Sequence, residues 1–424
     1  MKPKHYQEYI QILREELIPA MGCTEPIALA YAAARARRLL GQMPQRAEVR
    51  ASGSVIKNVK SVIVPNTGHM RGIPAACAAG IAAGDPDAKL EVLAAISPEQ
   101  VDQIRRCMEE MEITVLPLEG GPVFDIVVTV YADGHSARVR IAEHHTHVVR
   151  EERDGEILLD IPVTQGADAH LTDRSCLSIE EIWRFAQALE ADDVREILDR
   201  QIRYNTAICE EGLRGDYGAN IGRTLLSAYG DGAFNRIKAY AAAGSDARMN
   251  GCDLPVVINS GSGNQGITCS VPVIVYARHI GAPEDTLYRA LALSNLIAIH
   301  QKTGIGTLSA YCGAVSAGAA AGAGIAYLDG GDYEDVIHTI VNTLAVTSGM
   351  VCDGAKASCA AKIAVALDAA LFGWVMFRNG QQFYGGDGIV IKGVEATIRN
   401  VGRLGREGMR ATNEEIVRMM TDEL

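Results

Sequence analysis

The chain opens on a helical period. Tyr6, Tyr9, Ile10, Ile12, Leu13 and Leu17 share one side of a helix predicted over residues 5–17, which Pro19 ends. MGCTEP, residues 21–26, starts a second helix, with Thr24 as the capping residue and Glu25-Pro26 in the first turn. That helix runs through IALAYAAARARRLL to Gly41. A strand (AEVRASGSV), a turn and a second strand (SVIVPN) are expected next. A Gly-rich link, TGHMRG, leads to a helix from Ile73-Pro74 to about Ala83. A strand (LEVLAAI), a helix (PEQVDQIRRCMEEM) and a strand (ITVLPL) follow. The period then changes to two. VFDIVVTVYADGHSARVRIAEHHTHVVREERDGEILL alternates apolar and polar residues, with turn signals at Asp133-Gly134 and Asp154-Gly155. This predicts an antiparallel meander of three or four strands.

From Ile179 onward the apolar spacing is helical almost throughout, interrupted by a short β-like run, LPVVINS, at 254–260. The fold class expected is therefore an α+β N-terminal domain with an antiparallel meander, followed by a mostly α-helical domain. The boundary is expected near residues 165–178, giving domains of 1–170 and 171–424, without internal repeats or a low-complexity linker.

Composition narrows the picture. The 424 residues are 48% hydrophobic and 22% charged, a globular profile. Aromatics are only 5% while Gly reaches 43 residues, so the core must be filled by small and aliphatic side chains. A net charge of −12 argues against a nucleic-acid partner. The charged, amphipathic N-terminus lacks a signal-peptide pattern, and a cytoplasmic location is expected. Residues 303–328 form a run without charge, long enough to span a bilayer but weakly apolar and without aromatic or basic flanks. Burial in the protein is expected, with no membrane. The ten cysteines show no CxxC pair, and reduced thiols are expected.

The candidate chemistry centres on residues 307–362. TLSAYCGAVSAGAAAGAGIAYL holds Cys312 and SGMVCDGAKASCAAK holds Cys352, each in a bed of Gly, Ala and Ser that suits closely packed helices. They are either ordinary buried thiols or parts of a buried inorganic site. Cys23 precedes a helix N-terminus, where the dipole favours a thiolate. GSGNQG, residues 261–266, formally matches a dinucleotide fingerprint but lacks its βαβ context. With Ser260, Ser262 and Asn264 before a helix, it offers donors to a small anion such as a carboxylate, or is a capped tight turn. Two loops at strand ends, SGSVIKN and NTGHMRG, supply Ser52, Ser54, Asn66 and Thr67 as further substrate-binding candidates. On a strand, His145 and His147 would share a face with Glu143, a weak metal pattern set against a solvated sheet face. Lys302, His300 and Lys356 are the candidate bases, in that order, and a serine activated by one of them is an alternative.

MGCTEP, SGSVIKNV, SGSGNQG, HQKTGIGTLSAYCGAVSA and GMVCDGAKASC together resemble the L-cysteine desulfidases, a branch related to the iron–sulfur L-serine dehydratases. The resemblance covers essentially the whole chain. It implies a [4Fe–4S] cluster held by Cys23, Cys312 and Cys352, a small amino-acid substrate and no pyridoxal phosphate. Serine dehydratases carry a further cysteine ligand after the second segment; Cys359 lies closer than that pattern requires, and its loss should be tolerated. The activity implied is β-elimination from L-cysteine to pyruvate, ammonia and hydrogen sulfide. L-serine dehydration on the same cluster, or a non-catalytic redox or binding role, are the alternatives. The resemblance also admits a homodimer.

Overall fold

The computed structural model describes residues 2–163, 171–306 and 308–421. Thr307 and the expected boundary at residue 170 lie outside them. The N-terminal part is α1 (Tyr6–Glu16), β1 (Pro19–Met21), α2 (Thr24–Leu40), β2 (Arg46–Ala51), α3 (Gly53–Val59), α4 (Gly72–Ala83), α5 (Pro98–Glu110) and β3 (Glu112–Pro117). The meander follows as β4 (Asp125–Ala132), β5 (His135–Ala142), β6 (Val148–Arg153) and β7 (Glu156–Asp160). Then come α6 (Ile179–Ala188), α7 (Arg195–Arg214), α8 (Ile221–Tyr229), α9 (Ala233–Met249), β8 (Pro255–Val257), α10 (Gly263–Ile280) and α11 (Glu284–Ile305). The chain closes with α12 (Gly313–Leu328), α13 (Tyr333–Thr347), α14 (Ser358–Arg378), α15 (Val394–Arg403) and α16 (Arg410–Thr421). The architecture is thus a mixed N-terminal region carrying a sheet and a mostly helical C-terminal region, as the periodicity predicts.

The six-stranded sheet has the order β3-β2-β4-β5-β6-β7. The β2–β3 pair is parallel, with α4 and α5 in the crossover between them, and every other pair is antiparallel. Both predicted tight turns form, with Asp133, Gly134, Asp154 and Gly155 all at positive φ. Helix α5 begins as its sequence dictates. Ser97 and Gln100 form a reciprocal capping box, and Pro98 occupies the first turn, where no N–H is needed.

Three expected elements differ. SVIVPN is not a strand: Ile63 makes a single bridge to Arg71, while Val62 and Val64 bury themselves in a loop turned by Asn66 at positive φ. LEVLAAI is likewise irregular. Lys89 at positive φ turns the chain, and Leu90, Val92 and Leu93 pack inward without pairing. Burial drives both runs, and an apolar run without alternation does not specify a strand. SGSVIKN, expected to end a strand and turn, instead forms α3, because the Ser52 hydroxyl accepts from Val55 N–H as an N-cap. Thr24 lies inside α2 and does not cap it; Cys23 takes that position, while the Thr24 hydroxyl donates to Gly261 O at 3.0 Å.

In the helical region α12 is the central rod, packed on α10, α11, α13 and α14. Its small residues permit this: a Cβ on Gly322 would stand 3.0 Å from the Ala370 side chain of α14. In its described residues the uncharged run 303–328 is therefore the end of α11, an irregular stretch before Gly313 and the buried helix α12. Among the described residues only α14 is long and apolar enough to cross a membrane, and more than half of that apolar stretch is buried in the protein. Both parts of the chain share one hydrophobic core running from Tyr6 to Met409. They also share a small sheet, in which β1 pairs antiparallel with β8, and α16 returns to pack on α3.

Helix α10 presses so closely on β8 that a Cβ on Gly266 would lie 2.1 Å from Val257 O. Gly266→Ala should therefore lower unfolding free energy by roughly 1–3 kcal/mol in a denaturant titration. Gly349→Ala, whose Cβ would meet nothing within 4 Å, should change it by no more than about 0.5 kcal/mol.

Candidate active site

A cavity of about 1160 Å3 lies where the two parts of the chain meet. Its wall includes Cys23, Cys312, Cys352 and Cys359. Two short backbone features bring Cys312 and Cys352 together. Tyr311 and Val351 form an isolated antiparallel bridge, and Cys312 N–H donates to Met350 O (3.1 Å) while Cys352 N–H donates to Ala310 O (2.6 Å). Burial pushes the Cys312 thiol up to about 12, and neighbouring Cys352 adds to this. Cys359 packs with Cys23, Val62, Met249 and Ala355 in a small apolar cluster beside the cavity. Burial raises its pKa, and Cys352 raises it further.

Cys23 is buried at the start of α2, and its S–H donates to Glu25 Oε2 at 3.0 Å. The helix dipole does not make it a thiolate here. Burial and the adjacent carboxylate drive its pKa well up. Glu25 itself is buried. Burial opposes its charge, but His145, the Cys23 S–H, its own backbone N–H and Asn58 together outweigh that and hold its carboxyl below the ordinary value. Asn58 Nδ2 donates to Glu25 Oε1 at 2.9 Å and Thr24 Oγ1 to Oε2 at 3.2 Å.

The candidate bases separate. Lys302, in the last turn of α11, lines the cavity. Burial lowers its pKa, with Cys352 and Cys312 pulling partly the other way. His300 also lines it, but its Nε2 is tied to Glu395 Oε2 at 2.8 Å. Lys356 turns to Asp353, 2.6 Å away, and is not on the cavity wall. The substrate-loop candidates separate as well. Ser260, Ser262 and Asn264 line the cavity at the N-terminus of α10, where Ser262 accepts from Gln265 N–H. Ser52, Ser54, Asn66 and Thr67 do not line it. Ser52 donates to Val123 O, Ser54 accepts from Asn413, Asn66 donates to Leu93 O and Thr67 to Val64 O. These four side chains are engaged in holding loops and helix ends.

Several cavity residues, among them Lys57 and Arg248, escape a reading of the sequence, and His145, read there as a weak metal candidate on a strand, is placed differently. Lys57 is buried, donates to Cys352 O (3.3 Å) and Asn413 Oδ1 (2.7 Å), and has its pKa lowered by burial. His145 is not on a strand. The bend between β5 and β6 turns it inward against the Phe124 ring, 4.6 Å between centroids, and burial lowers its pKa. His147 and Glu143 face each other at 3.6 Å instead. Arg248 and Gln265 also reach the wall. The lone clue was that SGSVIKN and HHTH are polar segments beside apolar runs; nothing local says that they meet.

Among the described residues, no three His, Cys, Asp or Glu side chains close around a single metal ion. The thiols instead come from three separate segments and share one wall. That donor set fits a polynuclear iron–sulfur group, which is held by cysteine thiolates, better than one tetrahedral ion. Lys302 and Lys57 on the same wall suit the negative charge such thiolates bring.

Comparison with known proteins places the site in context. The sequence model of the serine dehydratase alpha chain matches residues 87–418. A UPF0597 protein of Desulfitobacterium hafniense (strain Y51) is 53% identical over 420 residues, covering 99% of this chain and 98% of that one. A UPF0597 protein of Lachnoclostridium phytofermentans is 49% identical, covering 98% of this chain and 99% of the relative. One from Treponema denticola is 47% identical over 99% and 98% of the two chains.

Glu25→Ala would leave Cys23 and Asn58 without their acceptor, and should cost at least about 2 kcal/mol of unfolding free energy. Because the Glu25 carboxyl is held below its ordinary 4.5, its stabilisation is fully present above pH 4.5. It is lost as pH falls through the folded-state value. Unfolding measured against pH should accordingly fall less steeply below pH 4.5 in Glu25→Gln than in the wild type.

Proposed function

Because the chain belongs to the serine dehydratase alpha-chain family, we propose that it is an iron–sulfur-dependent lyase. It converts L-cysteine to pyruvate, ammonia and hydrogen sulfide by β-elimination. The observation that carries this reading is that Cys23, Cys312 and Cys352 line one cavity together with a lysine whose charged form is disfavoured by burial. Those three cysteines would hold a [4Fe–4S] cluster, which when bound supplies a Lewis-acidic iron for the substrate's β-sulfur.

The chain's own residues account for the rest. Lys302, with its pKa lowered, is neutral over more of the pH range than an exposed lysine and can take the α-proton. His300 is the weaker candidate, since Glu395 holds its Nε2. Ser262, Asn264 and the N–H groups opening α10 face the cavity and orient the substrate carboxylate. As the α-proton moves to Lys302, the C–S electron pair leaves with hydrosulfide. The aminoacrylate then tautomerises to the imine, which water hydrolyses to pyruvate and ammonia. No pyridoxal phosphate is required, because the α-carbanion need not accumulate if the β-substituent departs as the proton is removed. The family description favours one second reading, L-serine dehydration at the same site.

Anaerobically purified protein should carry about four irons per chain and release sulfide and pyruvate together from L-cysteine. Pyruvate from L-serine without sulfide from L-cysteine would reverse the substrate assignment, and iron-free protein from anaerobic cells would sink both readings. Replacement of Cys23, Cys312 or Cys352 by Ala should each lower iron content, while Cys359→Ala should retain it. Lys302→Met should lower kcat by about 10²–10⁴ with iron content unchanged. In the wild type kcat/KM should climb with pH through a value below 10.5, the ordinary lysine pKa, and Lys302→Met should lose that climb.

A further inference from the structure

Four residues that line the cavity each carry a buried polar atom with no hydrogen-bond partner among the described residues: Arg248 Nε, His145 Nε2, Gln265 Oε1 and Asn58 Oδ1. Leaving such groups unpaired is costly, about 1–3 kcal/mol each and more for a charge. Arg248 is the most telling. It is 3% exposed, its Nη1 donates to Asn264 Oδ1 at 3.1 Å, and among the described residues it forms no ion pair with a carboxylate. A buried guanidinium without an acidic partner calls for an anion from elsewhere.

The four side chains lie around one loop. A Cβ on Gly263 would fall 2.2 Å from Arg248 Nε, and one on Gly261 would fall 3.2 Å from His145 Cε1. The Gln265 amide lies against Gly313, the residue after Cys312, within 2.6–2.9 Å of where its Cβ would be. Asn58 joins through Glu25 and Thr24 to Gly261 O. Two of the four atoms are donors, with His145 in its Nε2–H tautomer, and two are acceptors. The donors flank the N-terminus of α10, where the helix dipole favours negative charge. The Asn58 acceptor lies next to the Glu25 carboxylate.

We propose that Arg248 and His145 hold the α-carboxylate of an α-amino acid while Asn58 Oδ1 and Gln265 Oε1 accept its α-ammonium. The four thereby select a zwitterion irrespective of the β-substituent. This rests on the lyase reading for the identity of the ligand, but the binding chemistry is separable from turnover. Arg248 and Gln265 are positioning residues: they fix the α-carbon beside Lys302 and the thiols.

The test uses two half-substrates with full-length, anaerobically purified protein. 3-Mercaptopropionate keeps the thiol and carboxylate and lacks the ammonium; cysteamine keeps the thiol and ammonium and lacks the carboxylate. Calorimetric titration should show Arg248→Met weakening 3-mercaptopropionate by about tenfold or more and cysteamine by less than about twofold. Gln265→Leu should do the reverse. Arg248→Lys, which keeps the charge and guards against misfolding of the Met variant, should show a smaller loss confined to the carboxylate ligand. Melting curves verify that each variant folds. Equal loss of both ligands in folded variants, no loss of either, or no binding of either by the wild type overturns the cradle. If the affinity pattern holds while no sulfide is made from L-cysteine, the cradle stands and the lyase reading falls. If sulfide is made and the variants do not discriminate, the cradle alone falls.

Discussion

The buried carboxylate of Glu25 is the constraint on which the site depends. A charge so far from water persists only where donors meet it, and here they come from Cys23, Thr24 and Asn58, with His145 nearby. Each of those contacts fixes something else. Cys23 is held at the entrance of α2, Asn58 orients α3 so that Lys57 reaches Cys352 O, and Thr24 clasps the Gly261 carbonyl ahead of α10. Remove the carboxylate and three segments lose their common reference point.

The same carboxylate sets a chemical condition on the nearest thiol. While Cys23 donates its proton to Glu25, it is a hydrogen-bonded thiol with a raised pKa. To act as a metal ligand it must give that proton up, because the thiolate is the ligand form. Cys312 and Cys352 meet the problem differently, being aligned by backbone hydrogen bonds around the Tyr311–Val351 bridge and flanked by Lys302 and Lys57.

Much of the fold was legible because its signals are local. The capping box at Ser97, the two Asp-Gly turns and the helix-compatible small residues of α12 all act within a few positions of themselves. SVIVPN and LEVLAAI misled because their apolar residues are buried as a strand's would be, yet no neighbouring strand pairs with them. The site was legible only in part. The cysteines, Lys302 and the GSGNQG loop carry reactive or turn-forming chemistry that shows in one dimension. Lys57, Arg248 and Glu25 do not. Their roles come from partners distant in sequence, as with Lys57 and Cys352, which stand 295 positions apart. Ser52, Asn66 and Thr67 look like binding residues for the same reason that they make good caps and turn locks: each has a short polar side chain able to reach the backbone, while Ser54 meets the Asn413 side chain.

The return of α16 onto α3 gives the protein a schedule as well as a shape. Lys57, on α3, is held by Asn413, on α16, so a wall residue fixed early in the chain gains its partner only near the end. A growing polypeptide leaving the ribosome can fold its sheet and expose Cys23 long before Cys312, Cys352 or Asn413 has been made. Until then Cys23 stands without Lys302, the two later cysteines and the helices that enclose it. Such long-range closure is slow to form, and a group bridging Cys23, Cys312 and Cys352 could be enclosed only once all three segments have been made.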